Sequence, residues 1–149
     1  MKGTLLVKNV KHLVTCDADD RLLDGVNVFI RDGVIESIGQ NEETAADVID
    51  ASNMVMYPGL INTHHHLYQT FSRNLPQVQN MELFPWLKTL YEIWKHVDEH
   101  VVYYSSLTGM GELLKTGCTT CLDHHYVFPG TVGGGLLDAQ FHAADELGM

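Results

Sequence analysis

Residues 55–66 read VMYPGLINTHHH, and the fold turns on how that stretch divides. Pro58-Gly59 punctuates the chain, and its character changes there. Leu60, Ile61 and Asn62 form a short apolar run that suits a buried strand, ending in Thr63-His64-His65-His66. Side chains two apart on a strand share a face, so His64 and His66 can converge on one ion while His65 points the opposite way. Zinc or iron accepts such a pair of imidazole nitrogens, and a dihistidine clamp is common in catalytic sites. A surface polyhistidine run, or a substrate-contacting trio without metal, is the alternative reading of the same spacing. Two ligands do not complete a site, so more must come from elsewhere.

Upstream, residues 1–57 read as short strands. Leu5–Val7 and Val10–Val14 are apolar runs split by Asn9, and Val26, Val28 and Ile30 alternate with Asn27, Phe29 and Arg31. Asp32-Gly33 then reverses the chain into Val34–Ile38, a hairpin signal. Residues 40–46 are a polar, acidic loop. Val48–Asp50, a turn at Ala51-Ser52-Asn53 and Met54–Tyr57 predict a second hairpin. Only His12 of the nine histidines falls in this part.

Downstream, the spacing of Leu83, Leu87, Leu90, Tyr91 and Trp94 predicts a helix over 81–94, with Pro85 in its first turn. Phe71, Phe84 and Trp86 make this connection aromatic, mostly as helix core. Asp98 caps a further helix that Gly117 stops, and Gly109 and Gly111 within it suggest close packing against a neighbour. Cys118–Leu122 is a short strand with Asp123, His124 and His125 at its end. A glycine-rich loop, 130–135, leads to a last helix, 136–147, stopped by Gly148. Strand, helix, strand, helix after Pro58 points to a parallel sheet with covering helices, whose sites lie just beyond the strand ends. Two parallel strands cannot bury a core and a closed barrel needs eight, so the chain is expected to be the leading part of a longer one, with a small complete α+β domain as the alternative.

The 149 residues carry 9 Lys plus Arg against 19 Asp plus Glu, a formal charge of −10. That balance argues against a nucleic-acid surface. No apolar run approaches a membrane span, and the first residues lack a signal-peptide core, so a cytoplasmic protein is expected. Three cysteines do not make a disulfide scaffold. Cys118 and Cys121 would face opposite sides of a strand and read as packed thiols, not as a clamp. Asp123, His124 and His125 are open between substrate contact, support of the ligands and surface. His96, His100 and His142 read as ordinary. Gln69, three residues beyond the histidine pair, can read a polar ring edge by paired hydrogen bonds or serve the structure. The glycine-rich loop matches no phosphate-binding pattern.

VMYPGLINTHHH resembles the entry strand of the amidohydrolase superfamily, and the preceding VIDASN resembles the lead-in from that family's small β-sandwich. LYQTFSRNLPQVQNMELFPWLKTLYEIW and ELLKTGCTTCLDHHY are similar to the group of 8-oxoguanine deaminases and hydroxy-triazine aminohydrolases. The resemblance implies an α/β fold, a (β/α)8 barrel of which residues 58–149 are the start. Residues 1–57 would be the N-terminal part of a composite β-sandwich domain. It further implies that His64 and His66 bind a single divalent metal, zinc or possibly Fe2+, that Gln69 touches the substrate, and that the protein is a homo-oligomer. The remaining ligands and the acid–base residue would lie beyond residue 149.

The implied activity is hydrolytic deamination of an aminopurine-type heterocycle such as 8-oxoguanine. A metal-activated water attacks the ring carbon bearing the amino group and ammonia leaves. A hydroxy-triazine aminohydrolase or a cyclic-amide hydrolase of the same fold is the near alternative. A non-catalytic β-rich interaction module is the alternative of a different class.

Overall fold

The computed structural model describes residues 3–40, 42–130 and 132–149. Asn41 of the expected acidic loop and Thr131 of the glycine-rich loop lie outside the described residues, as do Met1 and Lys2. The chain divides into two compact units, Met1–Pro58 and Gly59–Met149.

The first unit is one sheet. Its strands are β1 (Thr4–Val14), β2 (Leu22–Arg31), β3 (Val34–Gly39), β4 (Asp47–Asp50) and β5 (Val55–Met56). The order is β3-β2-β1-β4, with β5 also on β1. Asp32 and Gly33 both have left-handed backbones, φ 51° and 84°, and join Arg31 to its partner Val34. Two such residues between antiparallel strands match the right-handed twist of the strands they connect. Asn9 does not split β1: it takes φ 57° as a bulge, its N–H donating to the Asn27 side chain at 2.8 Å. β2 begins at Leu22, ahead of the expected Val26, through Gly25 at φ 62°. Val10, Leu13, Val28 and Ala51 form the core.

The second hairpin is not there. β4 and β5 each pair in parallel with β1, β4 along Leu5–Lys8 and β5 along His12–Leu13. The turn between them is a jog, pinned where the Ala51 N–H donates to the Lys8 carbonyl at 2.8 Å and the Lys11 N–H to the Ala51 carbonyl at 3.1 Å. β1 is long enough to carry both along one edge, and burying Ala51 fixes the jog.

In the second unit, β6 (Leu60–His65) and β7 (Cys118–Asp123) run parallel. Between them come 3₁₀ turns at Leu67–Ser72 and Pro76–Val78, then α1 (Leu83–Trp94) and α2 (Glu99–Lys115); α3 (Gly135–Leu147) follows β7. The Asp98 carboxylate caps α2 by accepting from the Val101 N–H at 2.8 Å, and Gly148 ends α3 with φ 71°. Tyr68, Leu90, Trp94, Val97, Val102 and Leu136 are among the buried residues of the core. Two expectations need correction. Leu60 and Ile61 are 57% and 68% exposed, because β6 and β7 pair only with each other among the described residues. On α1, Leu90 and Trp94 are buried, whereas Leu83, Phe84 and Tyr91 are exposed. No helix among the described residues is long and apolar enough to cross a membrane.

Candidate metal centre

β6 delivers the histidines at its C-terminal end, where the strand gives way to the 3₁₀ turn. His64 and His66 converge as alternation requires: their Nε2 atoms stand 3.3 Å apart, with the rings edge to face. Bonds of about 2.0–2.1 Å at tetrahedral angles would place two ligand nitrogens about 3.3–3.4 Å apart. His66 Nδ1 lies 2.8 Å from the His124 carbonyl oxygen. A carbonyl only accepts, so Nδ1 carries the proton and Nε2 keeps the lone pair, the tautomer a metal ligand needs. The donor set therefore fits a divalent cation. Among the described residues, no group of three or more His, Cys, Asp or Glu is arranged to hold one.

The end of β7 supports this pair. The His124 N–H donates to the His65 carbonyl at 2.8 Å, continuing the parallel ladder one residue beyond the strand. The Asp123 carboxylate accepts from the Leu67 N–H at 2.6 Å and from Gln140 Nε2 at 2.8 Å. Gly109 lets the turn after His66 settle on α2, since a Cβ there would meet Leu67 Cδ2 at 2.7 Å. The expected close packing at Gly109 is thus present, whereas a Cβ on Gly111 would meet nothing within 4 Å.

Gln69 sits in the turn and donates from Nε2 to the hydroxyls of Tyr126 at 2.8 Å and Tyr68 at 3.2 Å. The Tyr126 ring stands edge-on to His66, centroids 5.2 Å apart, so Gln69 is linked to the histidine pair through one aromatic neighbour. Tyr68 is fully buried, and burial raises its hydroxyl above the ordinary tyrosine range. His65 points elsewhere, towards Gly109; burial pulls its imidazole down, and its Nδ1 has no partner. His125 turns Nε2 to the Val127 carbonyl at 2.8 Å. Cys118 is buried, and Cys121 is half-buried with its thiol pushed up by burial. His96 in the segment before α2, His100 on α2 and His142 on α3 are all exposed.

Sequence reading left Asp123 among several roles and missed Gln140, the His124 carbonyl and Tyr126. A signal for Gln140 existed: it shares the buried face of α3 with Leu136 and Ala143. A polar residue on a buried stripe needs a partner.

Residues 55–149 match the family described as Amidohydrolase family. The chain is 38% identical over 98% of its length to the hydroxydechloroatrazine ethylaminohydrolase of Pseudomonas sp. strain ADP, covering 33% of that protein. It is 44% identical over 82% of its length to the 8-oxoguanine deaminase of Pseudomonas aeruginosa, covering 28%. The fold matches the atrazine chlorohydrolase from Arthrobacter aurescens TC1, solved in complex with zinc. There the TM-score is 0.88 and the identity 27%, over 97% of this chain and 34% of that one. The chain thus spans about a third of the length of these relatives.

Proposed function

The chain belongs to the amidohydrolase family, and from that premise we propose that the whole protein is a metal-dependent hydrolase of carbon–nitrogen bonds. Its substrate is an aminopurine-type ring such as 8-oxoguanine, and its product ammonia. His64 and His66 hold one divalent ion, zinc in preference to iron. The observation that carries the reading is the 3.3 Å convergence of their Nε2 atoms, with His66 Nδ1 fixed on the His124 carbonyl. Zinc is supported by the zinc complex of the Arthrobacter enzyme.

A bound divalent ion supplies an activated water at neutral pH and polarises the ring. The chain's own residues hold and select. With its Nδ1 proton committed to a carbonyl, His66 orients its ring and does not serve as the acid–base group. With its Nε2 given to two phenol oxygens, Gln69 presents Oε1, an acceptor suited to a ring N–H or amine. A ring lacking that donor leaves this half-buried acceptor unpaired, which is how such a group discriminates. Residues 1–57 serve as the N-terminal part of a composite β-sandwich and 58–149 as the opening of a (β/α)8 barrel. The parallel pairing of β6 with β7 and the intervening helices support that organisation.

A second reading, release of an alkylamine from a hydroxy-triazine, is favoured by the match over 98% of the chain to the Pseudomonas ethylaminohydrolase. The test is product release by the metal-quantified whole protein from 8-oxoguanine, guanine, cytosine and an N-ethylamino hydroxy-triazine. Ammonia from a purine is the expected result. Ethylamine from the triazine, without ammonia from any purine, selects the second reading. Bound metal with neither product overturns both, and points to cyclic-amide hydrolysis.

A further inference from the structure

We infer that Asp123 is the positioning residue for His66, and that Gln140 holds Asp123 to that task; the inference rests on the metal reading of His64 and His66. His66 occupies the N-cap position of the 3₁₀ turn, at φ −135° and ψ 77°, and its own side chain makes no cap hydrogen bond. The next N–H, that of Leu67, therefore needs an acceptor from elsewhere. Asp123 supplies it across the sheet at 2.6 Å, a charge-assisted bond that fixes the peptide on the C-terminal side of His66. The ladder bond from the His124 N–H to the His65 carbonyl fixes the N-terminal side, and the His124 carbonyl takes the ring proton. Two consecutive residues of β7 and its extension thus grip 65–67 at three points.

The second oxygen of Asp123 is not left to water. Gln140, only 8% exposed on α3, donates to it at 2.8 Å. Burying an amide is costly unless it is paired, so this partner sets the rotation of the carboxylate about its own bond. With one oxygen on Leu67 and the other on Gln140, Asp123 orients the ligand peptide and does not itself reach the histidine nitrogens.

The test is chelator competition for zinc on the whole protein, together with the visible absorption band of the Co2+-substituted form, which reads ligand geometry and not turnover. Removing an outer-shell partner typically weakens metal binding by about 10–100-fold, and Asp123→Ala is expected in that range with an altered Co2+ band. Asp123→Asn keeps an acceptor for Leu67, and the Gln140 amide can rotate to meet it. It is expected to bind zinc within about threefold of the parent with an unchanged band. If Asp123→Ala does not fold, Asp123→Asn decides alone: loss of zinc as complete as in His66→Ala overturns the inference, because an acceptor in place would then not suffice. Zinc retained by Asp123→Ala at parental affinity, with His66→Ala devoid of it, overturns the positioning role and leaves the metal reading standing. Zinc retained by His66→Ala overturns both.

Discussion

The histidines of the two units make different kinds of hydrogen bond. In Met1–Pro58 the charged groups pair on the surface: His12 with Asp24 at 2.7 Å, Arg21 with Asp17 and Arg31 with Glu36. Such pairs are worth little, because water competes for both partners. Gly59–Met149 has surface pairs too, Arg73 with Glu112 and Lys95 with Glu92, but at the ends of β6 and β7 the His66 imidazole donates to a backbone carbonyl and the Asp123 carboxylate accepts from a backbone N–H and a buried amide. The same residue types therefore differ in consequence. A histidine paired at the surface is replaceable, whereas one held on a backbone carbonyl has its ring orientation and proton position fixed.

The largest effect that sharpens this contrast comes from removing one histidine in each unit. His66→Ala in the whole protein is expected to drop bound metal from about one ion per subunit to below about 0.1, with activity falling to background. His12→Ala is expected to keep both, and to shift stability by no more than about 0.5 kcal/mol, since His12 and Asp24 are 41% and 70% exposed. Metal content by elemental analysis and a denaturant melt read both. A His12 variant that lost metal would break the contrast.

The cores offer the next test. Trp94 is fully buried, donates from Nε1 to Ser72 at 3.1 Å, and meets Tyr68 edge to face at 5.3 Å. Trp94→Ala is expected to cost about 3–5 kcal/mol in urea unfolding. It should also raise KM, because Tyr68 supports Gln69. Val10→Ala, in the core of the first unit, is expected to cost about 1–3 kcal/mol with KM unchanged.

What the sequence revealed of each unit follows the range of the interactions involved. Asp32-Gly33 was legible because a turn is decided by its own residues. The pairing of 48–57 was not, because its partner is β1, roughly forty residues earlier, and a turn at 51–53 looks the same in a hairpin as in a jog. At the site, alternation alone brought His64 and His66 together. It could not tell that Asp123 reaches Leu67, 56 residues away, or that Gln140 reaches Asp123 from α3. The exposure of Leu60 and Ile61 was likewise hidden, since an apolar run signals burial without saying what covers it.

Two glycines of α2 test how closely the site is packed. Alanine gains about 1 kcal/mol over glycine in a helix interior when space allows. Gly111→Ala meets nothing within 4 Å and is expected to stabilise the protein by that amount. Gly109→Ala gains the same propensity, but its Cβ would approach Leu67 Cδ2 at 2.7 Å and Thr70 Oγ1 at 3.1 Å. Overpacking of that kind costs about 1–3 kcal/mol, which offsets or outweighs the gain, and the net effect is expected to be destabilising. A raised Tm for Gly111→Ala and a lowered one for Gly109→Ala are the expected result. Two stabilised variants would mean that the turn after His66 can move away from α2.

The smallest effect is expected at Asp17, on the surface of the first unit. Its carboxylate accepts from Arg21 Nε at 2.7 Å, and that hydrogen bond, with others from Thr15 and the Arg21 backbone, lowers its pKa to about 2. A carboxylate whose folded pKa lies below its unfolded value of about 3.9 contributes stability that is full above the unfolded value. The contribution fades as pH falls through the folded one. Asp17→Asn removes it, so parent and variant should differ by a small constant above about pH 5 and converge towards pH 2. Because the pair is open to solvent, added salt should shrink the gap at neutral pH. Denaturant midpoints across pH 2–6 at two salt concentrations measure both. A gap that persisted at pH 2 would place the cause in the backbone donors of Asp19 and Arg21, which the Asp17 side chain also accepts, and not in its charge.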